Sequence, residues 1–136
     1  MEQKGLSKND VREYVYNVLF AYTFQHVLVG RDYEMAAMSI AQHAPDMLTY
    51  FEDTTKGVVA HYDELVALVK SKTKKPDVSR TDLVALVYGA YELCYVKDLP
   101  VAVVINAAVQ LAGKFGGENS GRFVNGVLAA LLKDGQ

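Results

Sequence analysis

The segment Leu99-Pro100-Val101-Ala102-Val103-Val104-Ile105-Asn106-Ala107-Ala108-Val109-Gln110-Leu111-Ala112-Gly113-Lys114-Phe115-Gly116-Gly117-Glu118-Asn119-Ser120-Gly121-Arg122-Phe123-Val124-Asn125-Gly126-Val127-Leu128 decides the fold, because it reads as a helix, a glycine stop and a second helix. Pro100 suits a helix start, where its missing N–H costs nothing. Val101, Val104, Ile105, Ala108, Leu111 and Ala112 recur at helical spacing and predict one buried stripe. Gly116-Gly117 predicts a left-handed helix terminus. The next helix starts near Asn119 or Ser120, with Phe123, Val127, Leu128 and Leu131 as its apolar face. Asn106 and Asn125-Gly126 interrupt these helices with poor helix formers. A helix crossing would explain them, glycine letting backbones approach and asparagine bonding across.

Outward from this segment, 136 residues suffice for one domain, and half of them are apolar, enough to bury a core. No apolar run approaches the ~20 residues of a membrane span, and the polar N-terminus lacks the apolar stretch of a signal peptide. A single cysteine, Cys94, excludes an internal disulfide framework and reads as a small buried hydrophobe. These features predict a cytoplasmic protein. A net charge of −2 argues against a broad surface for bulk nucleic acid, though not against a local basic patch. Neither extended disorder nor a solenoid repeat is visible.

Residues 1–6 read as a loose leader. Ser7-x-x-Asp10 resembles a capping box and opens a helix to about Val29, with Val11, Val15, Val18, Leu19 and Tyr22 inward. A second row, Lys8, Arg12, Tyr16 and Phe20, advances four residues at a time and shares one side. Cations followed by rings suit single-stranded RNA, phosphates held first and bases stacked after. Packing of Tyr16 and Phe20 on a neighbouring helix explains the row equally. After the Gly30-Arg31-Asp32 turn, Asp32 is expected to cap a helix to about His43, burying Met35, Met38 and Ile40. Pro45-Asp46 marks a further start, and helical period from Leu48 runs to about Lys72, as one helix or as two with a bend at Gly57. Lys70, Lys72, Lys74, Lys75 and Arg80 surround Pro76 in a basic linker over 70–79, expected between the two helical halves and either solvated or an auxiliary phosphate contact. Ser79-x-x-Asp82 is a second capping-box pattern, opening a helix to about Val96 with Leu83, Leu86, Val87, Ala90, Leu93 and Cys94 as its apolar stripe.

Ile105-Asn106-x-Ala108-x-x-Leu111-Ala112-x-x-Phe115-Gly116, then Ser120-x-x-Phe123-Val124-Asn125-Gly126-Val127-Leu128, resembles the closing signature of the NusB family of antitermination factors over about thirty residues. Arg12-Glu13, Leu19-Phe20, Gly57-Val58 and Tyr91-Glu92-Leu93 add to the likeness. It implies an all-α domain over 1–136 of about six or seven helices, in two three-helix bundles packed roughly at right angles. It also implies a function: binding boxA-type RNA in nascent ribosomal-RNA leaders, together with a small-subunit ribosomal protein (NusE), so that RNA polymerase reads through terminators. Contact with the elongation complex would be indirect. Carried over, Lys8 and Arg12 would meet phosphate and Phe20 would stack a base. Phe115, Asn119, Ser120 and Arg122 would form an RNA-facing loop and helix start. Asp82, Tyr91 and Glu92 would face the ribosomal protein, although an internal salt bridge or helix cap explains Glu92 as well. The family's N-terminal basic cluster is reduced here to Lys8-Asn9-Asp10, and Asn119 stands where the family commonly has Asp.

No enzyme motif emerges: there is no phosphate-binding loop, and His26, His43 and His61 with one cysteine lack metal-ligand spacing. The expectation is therefore a binding protein without cofactor, metal or membrane. Two readings stay open: a NusB-like module acting through protein contacts or as a homodimer with weakened or lost RNA binding, and a relative of the NusB-like domain of ribosomal-RNA methyltransferases.

Overall fold

The computed structural model describes residues 5–134, so the leader expected at 1–6 falls outside the described residues except for Gly5 and Leu6. All regular structure among them is helical: α1 Lys8–Gln25, α2 Arg31–His43, α3 Leu48–Ala60, α4 Tyr62–Ser71, α5 Arg80–Tyr95, α6 Val101–Phe115 and α7 Ser120–Asp134, with a 3-10 turn at Pro45–Met47. None of these helices is long and apolar enough to cross a membrane. The chain divides into two compact units, Met1–Val59 and Ala60–Gln136. The basic segment 70–79 joins α4 to α5, both in the second unit.

In the first unit, α1 opens on the capping box read from sequence. The Asp10 N–H donates to Ser7 Oγ (3.1 Å), and the Ser7 N–H donates to Asp10 Oδ2 (2.9 Å). The helix stops at His26 (φ 58°), short of Val29; histidine is among the residues that enter the left-handed region more readily. Val11, Val15, Val18 and Leu19 are buried as expected. In α2, Gly30 takes the N-cap position and Asp32 lies in the first turn rather than capping it. The expected core of α2 needs a larger correction. Tyr33, Ala36 and Ile40 are buried, whereas Met35 and Met38 are 57% and 71% exposed. The buried stripe runs 33-36-40, so both methionines fall on the outward side. Tyr33 packs on Phe51 of α3 with ring centroids 5.1 Å apart. The buried Thr55 hydroxyl is satisfied by donating to the Phe51 carbonyl (2.8 Å).

The break after α3 falls at His61 rather than at the expected Gly57. His61 leaves helical geometry (φ −112°, ψ 18°), and its ring stacks on Tyr95 of α5 at 4.1 Å. In the second unit α5 is central and packs against α4, α6 and α7. Every residue from Val84 to Ala90 is buried, so α5 has no solvent face along two turns. Cys94, expected inside, is exposed beyond this stretch. Pro100 sits at the N-cap of α6, as its chemistry suggests. On α6 Val101 lies outside and Ala107 inside, a shift of the stripe by part of a turn.

Close backbone approach occurs at Gly89, not at the signature asparagines. A Cβ on Gly89 would lie 2.9 Å from Leu128 Cδ1 and 3.3 Å from Ala108 Cβ. Asn106, Asn125 and Gly126 are exposed, and a Cβ on Gly126 would meet nothing within 4 Å. The helix crossing expected there is therefore absent.

These two glycines should respond oppositely to substitution. Gly89→Val forces branched carbon into the fully buried Leu128 and should lower the unfolding free energy by about 2–3 kcal/mol. Gly126→Ala gains helix propensity in open space and should raise it by about 0.5–1 kcal/mol. Urea denaturation of the two variants checks both signs.

Candidate nucleic-acid interface

The first patch is the four-residue row on α1. Lys8 is exposed at its start. Arg12 is only 9% exposed, and its guanidinium carbon lies 5.6 Å from the Tyr50 ring centroid. A cation over an aromatic face keeps its charge while its reach is fixed. Tyr16 is a core residue at 2% exposure. Phe20 is half-buried, its ring nearly parallel to Tyr16 at 6.3 Å and edge-on to Phe24 at 5.3 Å. Phe24 is 59% exposed, so the ladder Tyr16, Phe20, Phe24 climbs from the core into solvent. Phe24 escaped the sequence reading, although one more four-residue step from Phe20 reaches it.

The second patch, in the other unit, is the connection from α6 to α7. Lys114 Nζ lies 5.6 Å from the Phe115 ring centroid, and Lys75 Nζ lies 4.7 Å from that of Phe123. Asn119 and Arg122 are exposed. Ser120 is buried, and its Oγ accepts the Gly117 N–H at 2.9 Å. Its hydroxyl thus helps close the loop, while exposed Asn119 and Arg122 stand either side of it. Phe123 and Lys75 were read as core face and linker; their pairing depends on tertiary contact and carries no local signal.

Gly116 does not adopt the expected left-handed form: φ is −100° and ψ −154°, and no described glycine has positive φ. Space is what requires glycine here. A Cβ would collide with Ser120 Oγ and lie 2.7 Å from the Ala112 carbonyl and 2.9 Å from Asp82 Oδ1.

Comparison with known proteins resolves the ancestry. The sequence pattern of the NusB family matches residues 9–133. The chain belongs to the NusB family. The transcription antitermination protein NusB of Agathobacter rectalis is 30% identical over 128 residues, covering 91% of this chain and 98% of its own. The fold resembles a T. maritima NusB crystal form with a TM-score of 0.81 at 24% identity, covering 96% of this chain and 93% of that one. It also resembles a crystal structure of the antitermination factors NusB and NusE in complex with double-stranded RNA, with a TM-score of 0.77 at 22% identity, covering 93% and 96%.

The three residues assigned from NusB resemblance to a protein partner are placed unequally. Asp82 is 4% exposed; its N–H donates to Ser79 Oγ at 3.2 Å, but Oδ1 has no hydrogen-bond partner and faces the Gly116 backbone. The reciprocal bond of a capping box is not among those of Ser79. Glu92 is 1% exposed, inside the fold. Such buried carboxyls shape the surface around them rather than form it. Tyr91 alone is half-buried and accessible, stacked on Tyr95 at 5.6 Å.

Tyr95 in turn donates its hydroxyl to Glu64 Oε2 at 2.6 Å, and Glu64 Oε1 lies 3.0 Å from His61 Nδ1. The Tyr95 hydrogen bond, then that of His61, hold the Glu64 carboxyl below its ordinary range. The same bond to a carboxylate favours the neutral phenol and pushes the Tyr95 pKa up to about 12. Partial desolvation and then the Glu64 charge raise the nearby Cys94 thiol. Glu64→Gln should therefore return the Tyr95 ionisation toward its ordinary value of 10.0. A tyrosinate absorbance titration reads this as one phenol moving to lower pH, and an unchanged curve contradicts the arrangement.

Proposed function

We propose that this chain is a transcription antitermination factor that binds boxA-type single-stranded RNA of nascent ribosomal transcripts jointly with the ribosomal protein NusE, biasing RNA polymerase against termination in the cytoplasm. The observation that carries the reading is the α1 row, in which an exposed lysine precedes an aromatic ladder ending in solvent at Phe24. Family membership and the antitermination role named for relatives support it. The role is one of binding, with no reaction assigned, and residues 1–136 are read as acting together as one domain.

On this reading Lys8 contacts phosphate and Phe20 with Phe24 offers rings to bases, stacking being worth about 1–3 kcal/mol per base. Arg12, fixed on Tyr50, contributes positive potential and orders the row. In the second unit Phe115, Asn119 and Arg122 form an RNA contact on the loop that buried Ser120 closes, joined by Lys75 over Phe123. Backbone N–H groups at the start of a helix favour an anion, and Arg122 adds charge beside them. Asn119 in place of a carboxylate removes a repulsion, offsetting the reduced basic content of the α1 start. Tyr91 belongs to the NusE-facing surface, with Asp82 and Glu92 supporting its shape from within. Each partner supplies surface the other lacks, so weak separate contacts become one cooperative complex.

The test is titration of fluorescent boxA-type RNA with the protein, alone and with NusE, over a range of salt. Binding should tighten with NusE and fall with salt. Lys8→Ala should weaken it and reduce the log–log salt slope by about one counterion. Asn119→Asp should weaken RNA binding while leaving NusE binding intact. Absence of RNA binding with and without NusE would overturn the reading in favour of a module acting through protein contacts alone.

A further inference from the structure

Away from the aromatic row, α1 and α2 enclose a trough whose chemistry the RNA reading leaves unused. One hollow of about 380 Å³ has Tyr14, Asn17, Asp32 and Met35 among its walls. A second of about 360 Å³ shares Tyr14 and Asn17 and continues along α1 past Glu13 and Asp10 to Leu6. The two hollows share Tyr14 and Asn17 and lie end to end along α1, spanning roughly 12 Å at 1.5 Å per residue from Asp10 to Val18. The Tyr14 and Ser39 hydroxyls, both from residues lining the first hollow, are hydrogen-bonded at 3.0 Å.

Three features select the occupant. First, Asp10, Glu13 and Asp32 line the two hollows, while Arg31 lines a smaller hollow of about 80 Å³ that shares Val18 and Asp32 with the first. A polyanion is repelled from such walls, and a cation is drawn to them. Second, Met35 at the trough and Met38 one turn on are 57% and 71% exposed, an unusual position for two neighbouring methionines. Methionine is flexible and polarizable and adapts to apolar side chains of varied shape. Third, the trough's length matches about two turns of helix, and a channel between two helices is the receptacle for an amphipathic third.

We propose that the α1–α2 trough docks a basic amphipathic helix of a partner protein, its apolar side on Met35 and Met38 and its cations on Asp10, Glu13 and Asp32. This surface differs in chemistry and in position on α1 from the Lys8 to Phe24 row. It therefore stands independently of whether the chain binds RNA.

The experiment uses the full chain carrying ¹³C-methyl methionine, titrated with a synthetic amphipathic helix of lysine and leucine about 16 residues long. The Met35 and Met38 methyl signals should shift saturably while that of Met47 stays in place. Glu13→Lys combined with Asp32→Lys should weaken binding about tenfold or more. Met35→Ser combined with Met38→Ser, at exposed positions, should weaken it without changing the melting temperature. A glutamate–leucine peptide of the same length should not bind. The proposal is overturned if the two methyl signals do not move, or if both peptides bind alike. It is equally overturned if boxA-type RNA shifts these methyls in place of the peptide, or if they shift with protein concentration alone, which would make the occupant a second copy of the chain.

Discussion

The second unit depends on a helix that must be buried on every side. From Val84 to Ala90, α5 exposes nothing, because α4, α6 and α7 each cover part of it. Covering one helix with three requires that some backbones come closer than ordinary side chains permit. Gly89 supplies that approach, its α-carbon facing Leu128 and Ala108. The Leu128 and Ala108 side chains are buried by the same contact, so the apolar stripes of α6 and α7 take their direction from α5. The α6–α7 connection then follows: Gly116 is squeezed between Ala112, Ser120 and Asp82 at the base of α5, which leaves Asn119 and Arg122 outside.

Periodicity made much of this legible. The apolar spacing of the closing segment marks two helices and a stop between them, and the Ser7–Asp10 cap appears with both of its hydrogen bonds. What periodicity cannot supply is which of several apolar residues on a helix meets a neighbour. Met35 and Met38 looked like core because methionine is usually buried, yet the stripe 33-36-40 already filled the inward side of α2. The signature asparagines looked like crossing residues because Asn and Gly disfavour helix interiors, yet they stand in open solvent. Composition flagged an anomaly there and assigned it to packing, whereas Asn106 and Asn125 are exposed on the outer faces of α6 and α7.

The candidate site divides in the same way. The four-residue spacing on α1 was readable because it is local, but the burial of Arg12 and Tyr16 within that row was not, and Tyr16 follows the packing alternative. The pairings Arg12 on Tyr50 and Lys75 on Phe123 were not, since each joins residues well separated in sequence. Nor was the inward placement of Asp82, a carboxyl that composition alone would put at the surface, whereas an internal place for Glu92 was one of the two readings its sequence left open. Resemblance implied a partner contact for these residues, and burial removes both carboxyls from direct contact: Asp82 instead stands against the Gly116 backbone.

The shortness of the cationic start on α1 can then be understood from the helix as a whole. Three sides of α1 carry three tasks: Val11, Val15, Val18 and Leu19 inward, the cation-to-aromatic row on a second side, and the acidic trough wall of Asp10 and Glu13 on a third. Asp10 also closes the capping box, so a basic residue there would lose the cap as well as the acidic wall. A longer run of arginines at this helix start would extend positive charge toward the trough. Holding basic content to Lys8 and Arg12 keeps the two sides of α1 electrostatically distinct.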